Sequence, residues 1–319
     1  MSADYDLLIV GAGPAGLAAA LAAAPSGARI ALVDDNPAAG GQIWRDGPRA
    51  SLPPRAHQMR QRLAGQANVE HFPATRVVAC GPGRRLLLED PQRGWQVGYR
   101  RLVLCTGARE LLLPFPGWTL PGVTGAGGLQ ALAKIACERL ACGFGLVPNV
   151  QLGQALGYRL DGPALAVDEW QAGSLPDHYA AGECTGFGGS ELALVEGAIA
   201  GHAAVDERDA ARRLWPRRRR WQGFADTLAR HFALRAELRQ LAEADTLVCR
   251  CEDVPLAALA GHAGWTEAKL HSRCGMGACQ GRICGSAAQF LFGWTPPAPR
   301  PPFSPARLET LARWQGDAG

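Results

Sequence analysis

The first strongly patterned stretch of the chain is YDLLIVGAGPAGLAAALAAA, in which an apolar run meets closely spaced glycines and then alanines. The run from Leu7 to Val10 has the composition of a buried strand, and the alanines that follow favour a helix. A glycine-rich turn between a strand and a helix lets backbone N–H groups approach a phosphate. The pattern therefore predicts the start of a nucleotide-binding α/β fold.

The glycines of this turn have the spacing Gly11-x-Gly13-x-x-Gly16, with Pro14 and Ala15 between the last two. We expect Gly11 to permit a tight turn and Gly13 to allow a close approach to a pyrophosphate. Gly16 is expected to let the helix pack closely on the strand. Because the strand and the helix flank the turn on the correct sides, these five residues are predicted to contact a dinucleotide.

A second apolar strand, RIALVDD, ends in two acids, Asp34 and Asp35. Asp34 lies 18 residues after Gly16, where an acid typically accepts hydrogen bonds from a ribose diol. Asp35 is a second candidate at this strand end, although we expect it to face solvent. The next segment is GGQIW, and its Gly41 and Gln42 are predicted to approach the bound cofactor.

Two later strands also end in glycine-containing segments. RLVLCTGARE predicts a buried strand that ends at Thr106 and Gly107, and HYAAGECTG predicts a shorter strand that ends at Gly182 and Glu183. This arrangement resembles the two-dinucleotide-binding flavoproteins, in which the second glycine–acid segment binds the ribityl and phosphate region of FAD. The resemblance implies FAD as the cofactor, with Glu183 in place of the usual aspartate and Val77 near the adenine.

Members of that family carry a second Rossmann domain for NAD(P)H between the two FAD segments, and such a domain needs roughly 100 residues. Only about 70 residues separate LCTGARE from YAAGECTG in this chain. The glycine-containing segment GVTGAGGLQALAK follows Pro121 rather than an apolar strand, so it lacks the strand that a dinucleotide fingerprint requires. The sequence therefore predicts one flavin site and no dedicated nicotinamide domain.

The carboxy-terminal half concentrates cysteines in VCRCEDV and RCGMGACQGRIC. Cys249-x-Cys251 is followed after 27 residues by Cys279, and after four more by Cys284. Four thiolates suit an iron–sulfur cluster or a structural zinc ion. The surrounding glycines favour the cluster because they let backbone N–H groups point at sulfur. Cys274 lies as far before Cys279 as Cys284 lies after it, so a ligand set that includes Cys274 stays open.

The composition agrees with a water-exposed globular protein of about two domains, since 47% of the 319 residues are hydrophobic and 19% are charged. No apolar run approaches the roughly 20 residues that a membrane-spanning helix needs. Ten cysteines without a recognisable secretory signal favour metal or redox chemistry in a reducing compartment. We therefore expect a cytoplasmic protein, with the cytoplasmic face of a membrane as an alternative.

The net charge of +4 is concentrated in the arginine-rich segment RRLWPRRRR, residues 212–220. A single basic segment without a supporting fold motif is weak grounds for nucleic-acid binding, so no nucleic-acid partner is expected. A solvated linker face is the first interpretation of this segment, and docking on an acidic partner protein is the second.

The order GAGPAG, GGQIWR, LCTGARE, YAAGECTG, VCRCEDV and GMGACQGRIC resembles, over nearly the whole chain, one family of FAD-binding subunits. These subunits belong to hydrogen cyanide synthase, opine oxidases and hydroxyproline or proline dehydrogenases. The cysteine segment resembles the bacterioferritin-associated-ferredoxin type of [2Fe–2S] domain. The resemblance implies Cys249, Cys251, Cys279 and Cys284 as cluster ligands, and it puts Cys274 where family members often lack cysteine.

The implied fold class is α/β, with a Rossmann-like FAD domain of the two-dinucleotide-binding type, without the NAD(P)H domain, and a small helical [2Fe–2S] domain. The predicted boundaries are 1–204 for the FAD domain, 205–245 for a helical linker, 246–295 for the [2Fe–2S] domain and 296–319 for a proline-rich tail. The tail is expected to lie extended over the protein's own surface or over a partner.

The resemblance implies an electron-transferring flavo-iron–sulfur subunit of a hetero-oligomeric amino-acid or opine dehydrogenase. An amino-acid-oxidase-like flavoprotein subunit would oxidise the substrate, a small ferredoxin-like subunit could accompany it, and an FMN could lie at a subunit interface. Some relatives hold ATP rather than FAD in this kind of site. The alternative function is a non-catalytic nucleotide-binding scaffold, and no residue stands out as a catalytic acid or base.

Overall fold

The computed structural model describes residues 3–45, 52–121, 123, 125 and 143–314. The chain forms two compact units. The first unit consists of Met1–Ala108, Pro148–His231 and Ala298–Gly319, and the second of Arg109–Val147 and Phe232–Pro297. The segment GVTGAGGLQALAK, which we predicted not to form a nicotinamide site, lies outside the described residues except for positions 123 and 125.

The described strands are β1 (Ala3–Val10), β2 (Ile30–Val33), β3 (Val69–Phe72), β4 (Arg76–Gly81), β5 (Arg85–Glu89), β6 (Gly94–Leu104), β7 (Ala108–Glu110), β8 (Leu146–Pro148), β9 (Leu160–Asp161), β10 (Ala164–Leu165), β11 (His178–Ala180), β12 (Leu247–Cys249) and β13 (Val254–Pro255). The described α-helices are α1 (Pro14–Ala23), α2 (Pro54–Ala64), α3 (Gln151–Leu156), α4 (Gly189–Ala203), α5 (Arg208–Arg212), α6 (Trp215–His231), α7 (Trp265–Ser272), α8 (Cys284–Phe292) and α9 (Leu308–Ala312). Short 3₁₀ turns occupy Ala24–Ser26, Glu183–Thr185, Ala236–Gln240 and Leu256–Leu259.

A seven-stranded sheet forms the centre of the first unit, with the strand order β3-β2-β1-β6-β5-β4 and with β11 also paired to β6. Strands β1, β2, β3, β6 and β11 run parallel, whereas β4, β5 and the start of β6 form an antiparallel meander. Strand β6 can serve both parts because its 11 residues pair first with β5 and then, further along, with β11.

The apolar run of β1 is buried on both faces of the sheet, as continuous hydrophobic strands of parallel sheets usually are. Leu7 and Ile9 belong to the hydrophobic cluster that contains α1, while Leu8 and Val10 belong to the cluster on the opposite face. The predicted first strand therefore forms the middle of the sheet.

Helix α1 packs closely on α4 because glycines line the contact. A Cβ atom on Gly197 would lie 2.1 Å from the carbonyl oxygen of Ala15, and one on Gly201 would lie 2.3 Å from that of Ala19. Neither backbone could move away without separating the two helices. These glycines thus fix how close α4 approaches the start of α1.

The proline-rich tail belongs to the first unit. Its Phe303 N–H donates to the carbonyl oxygen of Val78 at 2.8 Å, and the Arg307 N–H donates to the Glu89 carboxylate at 2.9 Å. Thr310 in α9 is 1% exposed. The compact units follow other boundaries than the predicted domains, since residues 109–147 group with the cysteine-rich part and the predicted helical linker is divided after His231.

The second unit has a small core of its own. Val248, Leu259 and Trp265 are buried there together with Cys249 and two further cysteines. Its regular elements include the short ladder of β12 and β13 and the helices α7 and α8. Of the helices in the described parts of the chain, none has the length and apolar character that crossing a membrane requires.

Candidate functional site

The ends of four parallel strands lie side by side at one edge of the sheet. Val10 in β1 is in register with Val33 in β2 and with Leu104 in β6, and Leu104 is in register with Ala180 in β11. Each of the glycine loop, the acid pair, the Thr–Gly segment and the Gly–Glu segment begins within two residues of one of these positions. We call this edge the dinucleotide edge, since ligands of such sheets bind at the carboxyl ends of the strands.

The glycine loop at this edge has no room for side chains. Gly11 has a φ of +105°, and a Cβ atom there would lie 2.1 Å from the carbonyl oxygen of Cys105. A Cβ atom on Gly16 would lie 1.7 Å from the carbonyl oxygen of Gly11. Gly13 lies beside the next loop, where its Cα would be 2.9 Å from a Cβ on Gly41. The structure brings the predicted GGQIW segment against the glycine loop.

Helix α1 begins directly after this loop, with Gly13 as its N-cap and Pro14 in the first helical position. Within the described residues no side chain caps this helix end. The N–H groups of the first turn, including that of Ala15, therefore stay accessible to an anion, and the helix dipole favours negative charge there.

Asp34 lies at the end of β2 and is 6% exposed. Its Oδ2 accepts a hydrogen bond from the Ala12 N–H in the glycine loop, and its Oδ1 accepts from the N–H and the side-chain amide of Asn36, both at 2.7 Å. Asp35 is exposed and forms an ion pair with Arg76 at 3.5 Å. The two neighbouring acids thus differ, and only Asp34 touches the glycine loop.

The Thr–Gly segment after β6 is held by Asn149. The Thr106 hydroxyl donates to the carbonyl oxygen of Asn149 at 2.6 Å, and the Asn149 side-chain amide donates to the carbonyl oxygen of Thr106 at 2.9 Å. The Asn149 N–H also donates to the Gly107 carbonyl at 2.9 Å. Sequence analysis missed Asn149, because an isolated asparagine in GFGLVPN carries no motif.

Two further predicted contacts lie in different settings. Gln42 is exposed, and its side-chain oxygen accepts a hydrogen bond from Arg45. Val77 lies in β4 opposite Leu88 and is two residues beyond Thr75, whose N–H donates to the Asp34 carbonyl at 2.8 Å. The start of β4 is therefore tied to the dinucleotide edge.

The Gly–Glu segment follows β11. Gly182 has a φ of +79°, and a Cβ atom there would lie 2.8 Å from the Cβ of Ala15, so the segment lies against the start of α1. Glu183 is half-buried, and this burial raises the pKa of its carboxyl. Behind the segment, the carboxylate of Glu196 accepts a hydrogen bond from the Gly182 N–H at 3.2 Å. Sequence analysis missed Glu196, although one acid within the apolar stretch LVEGAIAG was a usable signal of a buried polar role.

In the second unit, the cysteines gather as a cluster of five. The sulfur atoms of Cys249, Cys274 and Cys284 all lie within 4.8 Å of one another, and the three residues are buried. The remaining two, Cys251 and Cys279, form a hydrogen bond between their side chains. We call these five residues the cysteine cluster. The four predicted ligands are present in it, and Cys274 lies with two of them.

Backbone N–H groups point at the sulfur of Cys279. Burial acts to raise the pKa of this thiol, but hydrogen bonds from the Ile283 backbone, the Cys251 side chain and the backbone of Gly281 and Arg282 outweigh it, so the pKa is lowered. Such N–H···S contacts stabilise a thiolate and are typical of iron–sulfur loops. The donor set and its backbone surroundings therefore fit a [2Fe–2S] cluster.

The glycines of the cysteine segment make these approaches possible. A Cβ atom on Gly277 would lie 2.2 Å from the Cβ of Cys251, and one on Gly275, whose φ is +81°, would lie 2.6 Å from the Trp265 ring. Larger residues would push the two cysteine loops apart. The spacing of glycines that favoured a cluster in the sequence thus corresponds to close packing of the loops.

A buried arginine from the segment after β6 lies beside the cysteine cluster. Arg109 donates to the carbonyl oxygen of Arg282 and to the hydroxyl of Ser286, both at 3.0 Å. Burial and the neighbouring Arg282 lower the pKa of Arg109 to about 10, although Cys279 acts in the opposite direction. Two guanidinium groups close to thiols favour negative charge on sulfur. No sequence signal pointed to Arg109, which is 170 residues from Cys279 along the chain.

The other described cysteines pack in the first unit. The Cys184 thiol donates to the carbonyl oxygens of Leu104 and Ala181, both at 3.4 Å, and burial raises its pKa to about 11. Cys105 is also buried, and burial raises its pKa. These thiols are protonated at neutral pH, as expected for packing residues. Cys137 and Cys142 lie outside the described residues.

Comparison with known proteins agrees with these features. A model of the pyridine nucleotide-disulphide oxidoreductase family matches residues 5–132. Hydrogen cyanide synthase subunit HcnB of Pseudomonas protegens is 27% identical, over 87% of this chain and 89% of the relative. An opine oxidase subunit of Agrobacterium tumefaciens is 26% identical, over 90% of this chain and 85% of the relative.

The crystal structure of L-proline dehydrogenase from P. horikoshii superposes with a TM-score of 0.74 at 18% identity, covering 98% of this chain and 80% of that chain. This likeness confirms the mixed α/β, Rossmann-like FAD-binding fold. The alignment with HcnB spans 422 columns but includes 87% of the 319 residues here, about 278, so about 144 columns hold no residue of this chain.

The family matches and the dinucleotide edge together confirm an oxidoreductase. The resemblance seen in the sequence is confirmed as well: this chain belongs to the oxidoreductase family that contains HcnB of hydrogen cyanide synthase and the related subunits of opine oxidases.

Proposed function

We propose that this chain is the electron-transferring flavo-iron–sulfur subunit of a hetero-oligomeric dehydrogenase that acts on an amino acid or an opine. FAD would bind at the dinucleotide edge of the first unit, and a [2Fe–2S] cluster would be held by the cysteine cluster of the second. The observation that carries the proposal is that one chain combines four aligned strand ends with five clustered thiols.

The residues of the dinucleotide edge have the properties that FAD binding needs. Gly11 and Gly13 let the backbone come close to a pyrophosphate, and the first turn of α1 offers N–H groups to it. Asp34 accepts three hydrogen bonds within the protein, which leaves a carboxylate room for one more from a ribose hydroxyl. Glu183 would accept a hydrogen bond from the ribityl chain.

Among the five clustered thiols, we propose Cys249, Cys251, Cys279 and Cys284 as the ligands. Cys251 is exposed and Cys279 is half-buried, so a cluster on these sulfurs would reach the protein surface, where electrons can leave. Cys274 is fully buried and would serve as a neighbour of the cluster rather than as a ligand. This assignment distributes the ligands over the two cysteine loops.

Bound FAD accepts two electrons together, whereas a [2Fe–2S] cluster passes them singly, so a chain with both groups converts two-electron chemistry into one-electron transfer. The protein's part is to bind these groups and to set their potentials. Backbone N–H groups at Cys279 and the guanidinium of Arg109 would stabilise the negative charge that the cluster gains on reduction.

The electron donor is proposed to be a partner protein of the same complex rather than NAD(P)H. The relatives in hydrogen cyanide synthase and opine oxidase are themselves subunits of those enzymes, which supports a multi-subunit complex. The roughly 144 alignment columns without residues of this chain would accommodate the nicotinamide domain of about 100 residues that we expect to be missing.

In this complex an amino-acid-oxidase-like flavoprotein subunit would oxidise the C–N bond of the substrate. The chain described here would move the electrons between the flavin of that partner, its own two groups and an acceptor. A small ferredoxin-like subunit could accompany them, and an FMN could lie at a subunit interface.

The composition of the purified chain tests this proposal. Its nucleotide is released and identified, and its iron and acid-labile sulfide are assayed under anaerobic conditions. FAD with about two iron and two sulfide ions per chain is the expected result. ATP in place of FAD, with the cluster present, would contradict flavin chemistry here and favour the alternative function, a nucleotide-binding scaffold for the catalytic partner.

A further inference from the structure

One residue of the arginine-rich segment has a buried side chain. The side chain of Arg218 is 13% exposed, whereas that of its neighbour Arg217 is 49% exposed and pairs with Glu191 at the surface. Both residues lie in α6, within the first unit. The segment is therefore not merely a solvated face, and Arg218 has a separate role.

Arg218 forms an ion pair with a buried acid. Its Nε lies 3.5 Å from Oε1 of Glu196, which is 4% exposed and lies in α4. The next residue, Gly197, presses α4 onto the carbonyl oxygen of Ala15. A buried carboxylate needs a charged or hydrogen-bonding partner, and Arg218 supplies it from a different helix.

The second oxygen of Glu196 faces the Gly–Glu segment of the dinucleotide edge. Oε2 accepts a hydrogen bond from the Gly182 N–H at 3.2 Å and one from the Thr185 hydroxyl at 3.4 Å. Glu183 lies between these two anchored residues. The carboxylate therefore connects Arg218 to both sides of the acid that we propose to contact the ribityl chain.

Arg218 reaches the same segment along a second route. Gln171 is 0% exposed, and with its amide nitrogen turned to donate to the Ala180 carbonyl at 2.8 Å, its oxygen accepts from Nη2 of Arg218 at 2.8 Å. Ala180 is the last residue of β11. The arginine thus braces the strand end as well as the loop that follows it.

We infer that Arg218 is a positioning residue for FAD, which acts through Glu196 and Gln171 to hold the segment from Ala180 to Thr185 in its cofactor-receiving conformation. This inference rests on the proposed FAD site. Gly182 has a positive φ and, as a glycine, many accessible alternatives, so the segment needs external restraint. Restraint before binding reduces the ordering that the cofactor would otherwise have to impose.

The test compares Arg218→Met with Arg217→Met, the same replacement one position earlier on the same helix. FAD is removed from each variant and titrated back, and the dissociation constant and the visible flavin spectrum of the reloaded protein are measured. We expect R218M to bind FAD about tenfold more weakly, the loss that follows when a residue orienting a ligand through other groups is removed. Its flavin absorption bands should also shift, while R217M should match the wild type.

Glu196→Gln keeps an oxygen for Gly182 but loses the ion pair, so it should weaken FAD binding in the same direction and by less. It also decides the matter if R218M fails to fold. A purely structural role would lower the melting temperature of the apoprotein and leave the dissociation constant and spectrum of the folded variants unchanged, and that result would overturn the inference. A wild-type chain that takes up no FAD would instead overturn the proposed function.

Discussion

Gly16 lies against the carbonyl oxygen of Gly11, so close that a Cβ atom on Gly16 would be 1.7 Å from that oxygen. Both positions are backbone, and no side-chain rotation can relieve the overlap. The first turn of α1 and the glycine loop can therefore keep their positions only while residue 16 is glycine. This contact is the basis of the dinucleotide edge.

Gly16→Ala should abolish FAD binding and destabilise the protein, because either the loop or α1 must move. Gly223→Ala is the matched control, since Gly223 lies in α6 with open space around it. That replacement should stabilise the chain by about 0.5–1 kcal/mol, the usual difference between glycine and alanine in a helix. Thermal melting and FAD content of the purified variants check both expectations, and a G16A protein with normal FAD content would contradict the geometry.

Asp34→Asn should weaken FAD binding, because the buried carboxylate orients the glycine loop through Ala12 and is proposed to accept the ribose hydroxyl. Hydrogen bonds to charged groups contribute about 1.5–3 kcal/mol, which corresponds to roughly 10- to 150-fold in affinity. Asp35→Asn removes an exposed acid of the same type and should change affinity less than about twofold. Fluorescence titration of the two apoproteins with FAD measures the difference, and equal losses would be inconsistent with the separate roles of the two acids.

Cys279→Ser should lose the cluster, and Cys274→Ser should keep it. The reason is that Cys279 receives several backbone N–H groups at its sulfur, whereas Cys274 is proposed to be only a neighbour of the ligands. Iron and sulfide assays with the visible spectrum of each variant provide the measurement. If C274S loses iron while C279S retains it, the ligand set includes Cys274 instead.

The free energy of unfolding should fall as the pH drops below about 6.5. Burial lowers the pKa of His178 from its ordinary value of 6.5, the Arg84 charge acts in the same direction, and the Pro176 carbonyl and Asp177 oppose them. The folded state then binds fewer protons than the unfolded state in this range, so stability is complete above pH 6.5 and declines as the pH falls toward the lowered pKa. The imidazole also contacts the Tyr99 hydroxyl at 3.2 Å, which a neutral ring can serve as acceptor.

Urea unfolding at several pH values between 5 and 8 measures this dependence. His178→Gln should flatten it, because the variant removes the titrating group from the core. His231→Gln replaces an exposed histidine of α6 and should leave the pH dependence as in the wild type. An unchanged slope in H178Q would mean that other groups determine the acid sensitivity.

Local patterns made much of the dinucleotide edge predictable. The glycine loop, the two strand ends with Asp34 and Thr106, and the Gly182–Glu183 segment are each encoded within about ten residues of sequence. Parallel pairing then brings them together without further information, because strand ends in register share one edge.

Contacts between distant residues were not predictable in this way. The position of Cys274 depends on how two loops fold over Trp265, which spacing alone does not determine. The link between Arg218 and Glu196 joins two helices whose relative packing is set by glycines on the opposite side of α4. The sequence suggested a solvated arginine face because five of the six arginines in that segment are exposed.

The central claim is that this chain holds both a two-electron and a one-electron centre. Anaerobic titration of the purified chain with dithionite, followed by visible absorption and electron paramagnetic resonance, tests it most directly. We predict the uptake of about three electrons per chain, two by FAD and one by the cluster, together with the signal of a reduced [2Fe–2S] centre. Uptake of about one electron would show a cluster without a redox-active flavin, and uptake of none would contradict the account as a whole.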